Sequence, residues 1–114
     1  MLNKKNRISN RQLIEKLFKK GKLYKNNYFL FRFLPSIEST SKFAVIVSKK
    51  VAPKAVDRNY LRRQINEAIK NNIPLLKIDI ISLIIVKTTV KKASYEELNK
   101  GIMDFFNQNK LHEQ

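Results

Sequence analysis

The chain contains no cysteine, which removes disulfides, thiolate nucleophiles and sulfur-ligated metals and fits a reducing cytosol. Histidine occurs once, as His112 beside the carboxyl end, so no histidine cluster can hold a metal or activate a nucleophile. Glycine occurs twice, at Gly21 and Gly101, too few for a glycine-rich phosphate loop. Acidic residues number 9 against 24 basic ones. Of the carboxylates, Asp79 and the Glu96–Glu97 pair lie far apart in sequence, and no general acid/base pair stands out. Residues 78–86 form the most apolar stretch and include Asp79, well short of the ~20 apolar residues that span a bilayer as a helix. The basic amino terminus leads into an amphipathic segment, where an export signal would need an uninterrupted apolar core. A soluble, cytoplasmic protein is expected.

What the chain does have is charge. Its 114 residues suit one domain with a single hydrophobic core. A formal charge of +15 and a pI near 10.2 fit a partner that is a polyanion, with nucleic acid first and a membrane surface second. Scattered lysines can reflect composition bias alone. The arginines say more, because only 6 accompany 18 lysines and three of them, Arg58, Arg62 and Arg63, fall within six residues. A guanidinium offers a planar fork of donors matched to phosphate, which an ammonium lacks.

Capping-box spacing between Ser9 and Gln12, flanked by Ile8 and Leu13 as a hydrophobic staple, predicts a helix starting near Asn10. Gly21 is its natural stop. Leu13, Ile14, Leu17 and Phe18 give that helix one apolar face. Residues 22–25 fit a short extended piece and residues 28–34 a strand whose Phe29, Phe31 and Phe33 share the buried face. Residues 34–42, with Pro35 and several hydroxyls, read as a hairpin loop returning into an antiparallel strand over 43–48. Pro53 suits the first turn of a second helix reaching about Asn71, before Pro74. Residues 78–86 read as a strand covered on both faces, and a second capping box, Ser94 with Glu97, opens a last helix with Leu98, Ile102, Phe105 and Phe106 inward. The expected fold is α+β: a single-domain sandwich of a small mixed four-stranded sheet and three helices, in the order α-β-β-β-α-β-α. It spans residues 1–114, with a basic arm over 1–8 and a frayed tail over 110–114. If the strands flanking the second helix are parallel, the base rate makes their crossover right-handed.

On a helical wheel Arg58, Asn59, Arg62, Arg63 and Asn66 form a polar stripe beside the buried stripe Leu61, Ile65, Ala68 and Ile69. Lys49 and Lys50 lead into the same surface. A solvated charged face is the ordinary explanation of such a stripe, but carboxylates to neutralise it are few, and unpaired guanidinium suits phosphate. A second surface is the groove between the first helix and the outer sheet face, where Ile14 and Phe18 would neighbour Leu30 and Arg32. An aromatic and a guanidinium plane there suit stacking by a single-stranded segment, whereas a Phe18 buried in the core would close that option.

Residues 43–69, running from Phe-Ala-Val-Ile-Val-Ser-Lys-Lys-Val into Arg58-Asn-Tyr-Leu-Arg-Arg-Gln-Ile65, resemble the signature of the bacterial ribonuclease P protein subunit. The likeness extends to the Lys-Asn-Arg-Ile start, to Lys16-Leu-Phe-Lys-Lys-Gly21 and to Ser94-Tyr-Glu-Glu97. It implies a left-handed strand-helix-strand crossover, against the base rate. It also implies a catalytic RNA as partner, which performs the chemistry with Mg²⁺ and removes the 5′ leader of precursor tRNA. By the same resemblance Lys49, Lys50, Arg58, Asn59, Arg62 and Arg63 contact the catalytic RNA, and Ile14, Phe18, Leu30 and Arg32 hold the leader. Catalytic side chains and tightly held metals are expected on neither surface, and the protein is expected to be a monomer. Tyr60 departs from the family's arginine-asparagine-arginine triplet, Asn66 stands where relatives often carry another arginine, and Arg32 stands where an aromatic is common. The family's metal-binding loop would correspond to residues 34–42, which hold one carboxylate, Glu38. The rival readings are a ribosomal or RNA-chaperone module without a role in tRNA 5′ processing, and a protein-only nuclease.

Overall fold

The computed structural model describes residues 2–109; the expected frayed tail, with His112, lies outside them. The elements are α1 (Arg11–Lys20), β1 (Lys22–Lys25), β2 (Phe29–Pro35), β3 (Lys42–Ile46), α2 (Ala55–Asn72), β4 (Ile80–Val86) and α3 (Tyr95–Gln108). The strands form one mixed sheet in the order β1-β2-β4-β3.

That order corrects the expected hairpin. β3 does not pair with β2; β4 lies between them, antiparallel to β2 and parallel to β3. The reason lies in β4 itself, whose Ile80, Leu83 and Ile84 are fully buried. A continuous apolar strand is most stable where helices cover both faces and strands flank both edges. The segment before β3 therefore reaches across to the start of β4. Ser36 N donates to Asp79 O at 2.9 Å, and Ser41 Oγ donates to Asp79 Oδ1 at 2.9 Å while accepting from Ile80 N at 3.0 Å.

Side-chain alternation divides the sheet into two faces. On one, Phe29, Phe31 and Phe33 meet Phe43, Ile84 and Val86 beneath α2 and α3. Phe105 of α3 stacks on Phe31, with centroids 4.0 Å apart and planes 3° from parallel. On the other face Leu17 of α1 is buried against Ile81 and Leu83. Removing either anchor would open a cavity costing about 2–5 kcal/mol.

The helix ends follow from local chemistry, with two corrections. Asn10, not Ser9, caps α1, its Oδ1 accepting from Gln12 N at 2.8 Å. Gly21 does stop α1, but in an extended conformation; a Cβ there would lie 2.4 Å from Leu17 O, so close approach of backbone is what favours glycine. Pro53 precedes α2 instead of lying in its first turn, since Lys54 is the N-cap. The Ser94–Glu97 capping box is formed as expected. The arm is not loose: Leu2 and Asn6 are buried, and Asn6 Nδ2 donates to Ser41 O at 2.8 Å. Among the described residues, no helix is long and apolar enough to cross a membrane.

Candidate nucleic-acid interface

β3 is an edge strand, and what borders its free edge defines the main polar site. Ile8 N donates to Phe43 O at 3.0 Å and Arg7 bridges to Phe43, so the arm lies alongside the start of β3. α2 passes over the same edge with Ile65, Ala68 and Ile69 buried. Its residues 59, 62, 63 and 66 follow the i, i+3, i+4, i+7 spacing of one helical face. Asn59, Arg62, Arg63 and Asn66 thus face Arg7 and Ile8 across a cleft of about 450 Å³ whose floor is β3.

Charge in this cleft is unbalanced. Among the described residues the ion pairs are Arg11–Glu15 and Lys42–Glu38, and neither engages Arg7, Arg58, Arg62 or Arg63. Arg62 donates to Asn59 Oδ1, which orients the guanidinium without neutralising it. Arg7, Arg62 and Arg63 all line the cleft, so like charges meet there, and an anion in the cleft would offset their repulsion.

Not every predicted residue lies in the cleft. Arg58 Nη1 donates to Ala52 O at 2.9 Å and Pro53 O at 2.8 Å; it is half-buried and ties down the turn that precedes α2. Lys49 and Lys50 are exposed in that turn and do not line the cleft. Tyr60 is 58% exposed on the outer side of α2, its hydroxyl accepting from Gln64 Nε2 at 3.3 Å. Arg7 and Ile8 were not singled out for this site in the sequence. The Lys-Asn-Arg-Ile start was a signal, but only the pairing with β3 brings it beside α2.

The second surface is the α1 face of the sheet. Phe18 is 48% exposed, so the core reading of this side chain fails; its neighbour Leu17 is the buried one. Ile14 packs at the margin of the Leu17 cluster. The strand register sets Leu30 opposite Ile85, and Ile85 opposite Ile46, an apolar row that ends on the exposed Ile46. The adjacent row brings Leu23, also exposed, opposite Arg32. Arg32 Nη1 donates to Gly21 O at 3.4 Å, the long limit of a hydrogen bond, which holds its guanidinium at the end of α1. Leu23, Ile46 and Ile85 escaped the sequence reading because their shared face depends on strand order.

A basic α+β protein with a guanidinium cleft on a sheet edge and an open apolar-cationic groove on the adjoining face has the attributes of a nucleic-acid-binding protein. Comparison with known proteins narrows the class. A family model described as Ribonuclease P matches residues 2–110. A ribonuclease P protein component from Pseudanabaena sp. (strain PCC 6903) is 30% identical over 103 residues, covering 90% of this chain and 89% of the relative. Its counterpart from Clostridioides difficile (strain 630) is 34% identical over 88 residues, covering 76% of each. The fold is that of the Staphylococcus aureus RNase P protein, with a TM-score of 0.85, 20% identity and coverage of 95% of this chain and 98% of that one. It also matches the Thermotoga maritima RNase P protein, with a TM-score of 0.80, 21% identity and coverage of 90% and 96%. The chain belongs to the ribonuclease P protein family, and its reading as a protein subunit of ribonuclease P follows from that membership.

Proposed function

We propose that the protein assembles with the catalytic RNA of ribonuclease P through the α2 face and holds the 5′ leader of precursor tRNA in the groove beside α1. The carrying observation is the stripe of Asn59, Arg62, Arg63 and Asn66, set against Arg7 with no carboxylate partner among the described residues. Lys49 and Lys50 add charge at its approach, and Arg58 shapes the turn leading into it. In the groove, Phe18 and Leu30 offer apolar surface to bases, Arg32 a plane or a phosphate contact, and Ile14 a wall.

Chemistry is assigned to the RNA. The protein screens phosphate repulsion and raises substrate affinity. Mg²⁺ belongs to the RNA in this reading: Glu38 of the 34–42 loop pairs with Lys42 at 3.4 Å, and among the described residues no three His, Cys, Asp or Glu gather as ligands. The donors of the 34–42 loop, with Glu38 its one carboxylate, do not fit a metal site, and no step runs through one. The protein works in the cytoplasm as a monomer.

The test is binding by the protein-RNA complex of precursor tRNA against mature tRNA. Tighter binding of the precursor is expected; equal binding would favour a general RNA chaperone or ribosomal module.

A further inference from the structure

The cleft between the arm and α2 has features that phosphate alone does not use. Phe43 O accepts from Ile8 N, so Phe43 turns its backbone groups away from β4. Alternation along the strand turns Val45 the same way. Among the described residues no backbone bond to the arm continues past Ile8, and Val45 lines the cleft. Its N–H and C=O therefore stand as an open donor-acceptor pair. Asn66, half-buried in the same wall, adds an amide that both donates and accepts.

Phosphate oxygens only accept. They satisfy Arg7, Arg62 and Arg63 but offer no donor to the Val45 carbonyl or the Asn66 amide oxygen, half-buried acceptors that a bound RNA would cover, and acceptors covered without a partner are costly. A nucleobase supplies both donors and acceptors on one planar edge, and Ile8 gives its ring an apolar contact. In a duplex that edge is engaged by the opposite base, so the nucleotide must be unpaired. A volume of about 450 Å³ lies within the ~300–1,000 Å³ of small-ligand sites.

We infer that this cleft is a pocket for one unpaired nucleotide of a bound RNA, with Val45 and Asn66 reading the base edge and Arg7 and Arg63 holding the flanking phosphates. The inference rests on the RNA-binding reading of the α2 face and assigns it a base-dependent subsite.

The test is titration of the full chain, followed by amide NMR, with each of the four ribonucleoside 5′-monophosphates and with ribose 5-phosphate. The preferred monophosphate should bind about tenfold or more tighter than ribose 5-phosphate, the range expected of base contacts, and should move the Val45 backbone and Asn66 side-chain signals. Asn66→Leu should erase the difference; if that variant does not fold, Asn66→Ala should at least halve it. Equal binding of ribose 5-phosphate, or an unmoved Val45 signal, overturns the pocket. Precursor-tRNA cleavage by a ribonuclease P RNA, measured with the same preparation, separates this inference from the broader reading. Stimulated cleavage alongside equal affinities rejects the pocket alone, whereas base-dependent binding without stimulation supports the pocket and rejects the ribonuclease P role.

Discussion

Gly101 lies over the ring of Phe29, so close that a Cβ on the glycine would stand 2.9 Å from Phe29 Cε2. Gly101 O also accepts from Asn26 Nδ2 at 3.0 Å, which fastens α3 to the turn before β2. Two effects of opposite sign meet in Gly101→Ala. Helix propensity favours alanine by about 1 kcal/mol, while overpacking against a fully buried ring costs about 1–3 kcal/mol. Phe29 cannot swing away, so a net loss of about 1 kcal/mol is expected from the urea midpoint. A gain in stability would show that the helix and ring separate easily.

Tyr28 and Glu97 give the fold a pH dependence. The Tyr28 hydroxyl donates to Glu97 Oε2, and Ser94 N and Oγ donate to Oε1. These bonds, that of Tyr28 foremost, hold the Glu97 carboxyl below its ordinary value, and the same bond raises the Tyr28 phenol. A depressed carboxyl contributes stability that is present above its unfolded pKa and lost as pH falls through the folded one; a raised phenol contributes below its unfolded pKa and loses it as pH rises through the folded one. The pair is therefore intact between the carboxylate and phenol ranges. Glu97→Gln should flatten the acid limb of the stability profile, and Tyr28→Phe should reduce the slope on both limbs. Unchanged limbs in both variants would remove the coupling.

Salt dependence measures the polyanion account. With about six phosphates neutralised, the logarithm of affinity for a leader-like single strand should fall against the logarithm of salt with a slope of about −4. A flat response would contradict it.

The two surfaces should separate by mutation. Arg62→Ala combined with Arg63→Ala is expected to weaken assembly with the catalytic RNA and reduce its salt slope by about 2. Phe18→Ala, which removes an exposed stacking surface, should leave assembly intact and lower discrimination between precursor and mature tRNA by about tenfold. Binding titrations of both variants against both RNAs check this. Equal effects of the two changes on both measurements would remove the two-surface arrangement.

Much of this architecture was legible in residue order, because local patterns carry it. Phe29, Phe31 and Phe33 alternate, Leu98, Ile102, Phe105 and Phe106 recur at helical spacing, and Ser94 and Glu97 form their capping box. Strand order was not legible locally. Consecutive strands are usually neighbours, and that habit predicted a hairpin between β2 and β3. The competing signal was the nearly continuous apolar run of β4, which favours a central position. The candidate site divides the same way. Asn59, Arg62 and Arg63 follow from periodicity on one helix, whereas Arg7, Ile8 and Val45 join them only through pairing at the sheet edge. Arg58 shares the helix but is drawn to the carbonyls of Ala52 and Pro53, a turn geometry that helical spacing does not encode.

The most direct measurement is cleavage of precursor tRNA by a ribonuclease P RNA at physiological Mg²⁺, with and without this protein. Release of the 5′ leader should be slow with RNA alone, absent with protein alone and restored when the two are combined. Cleavage by the protein alone, or no stimulation of the RNA, would contradict the account.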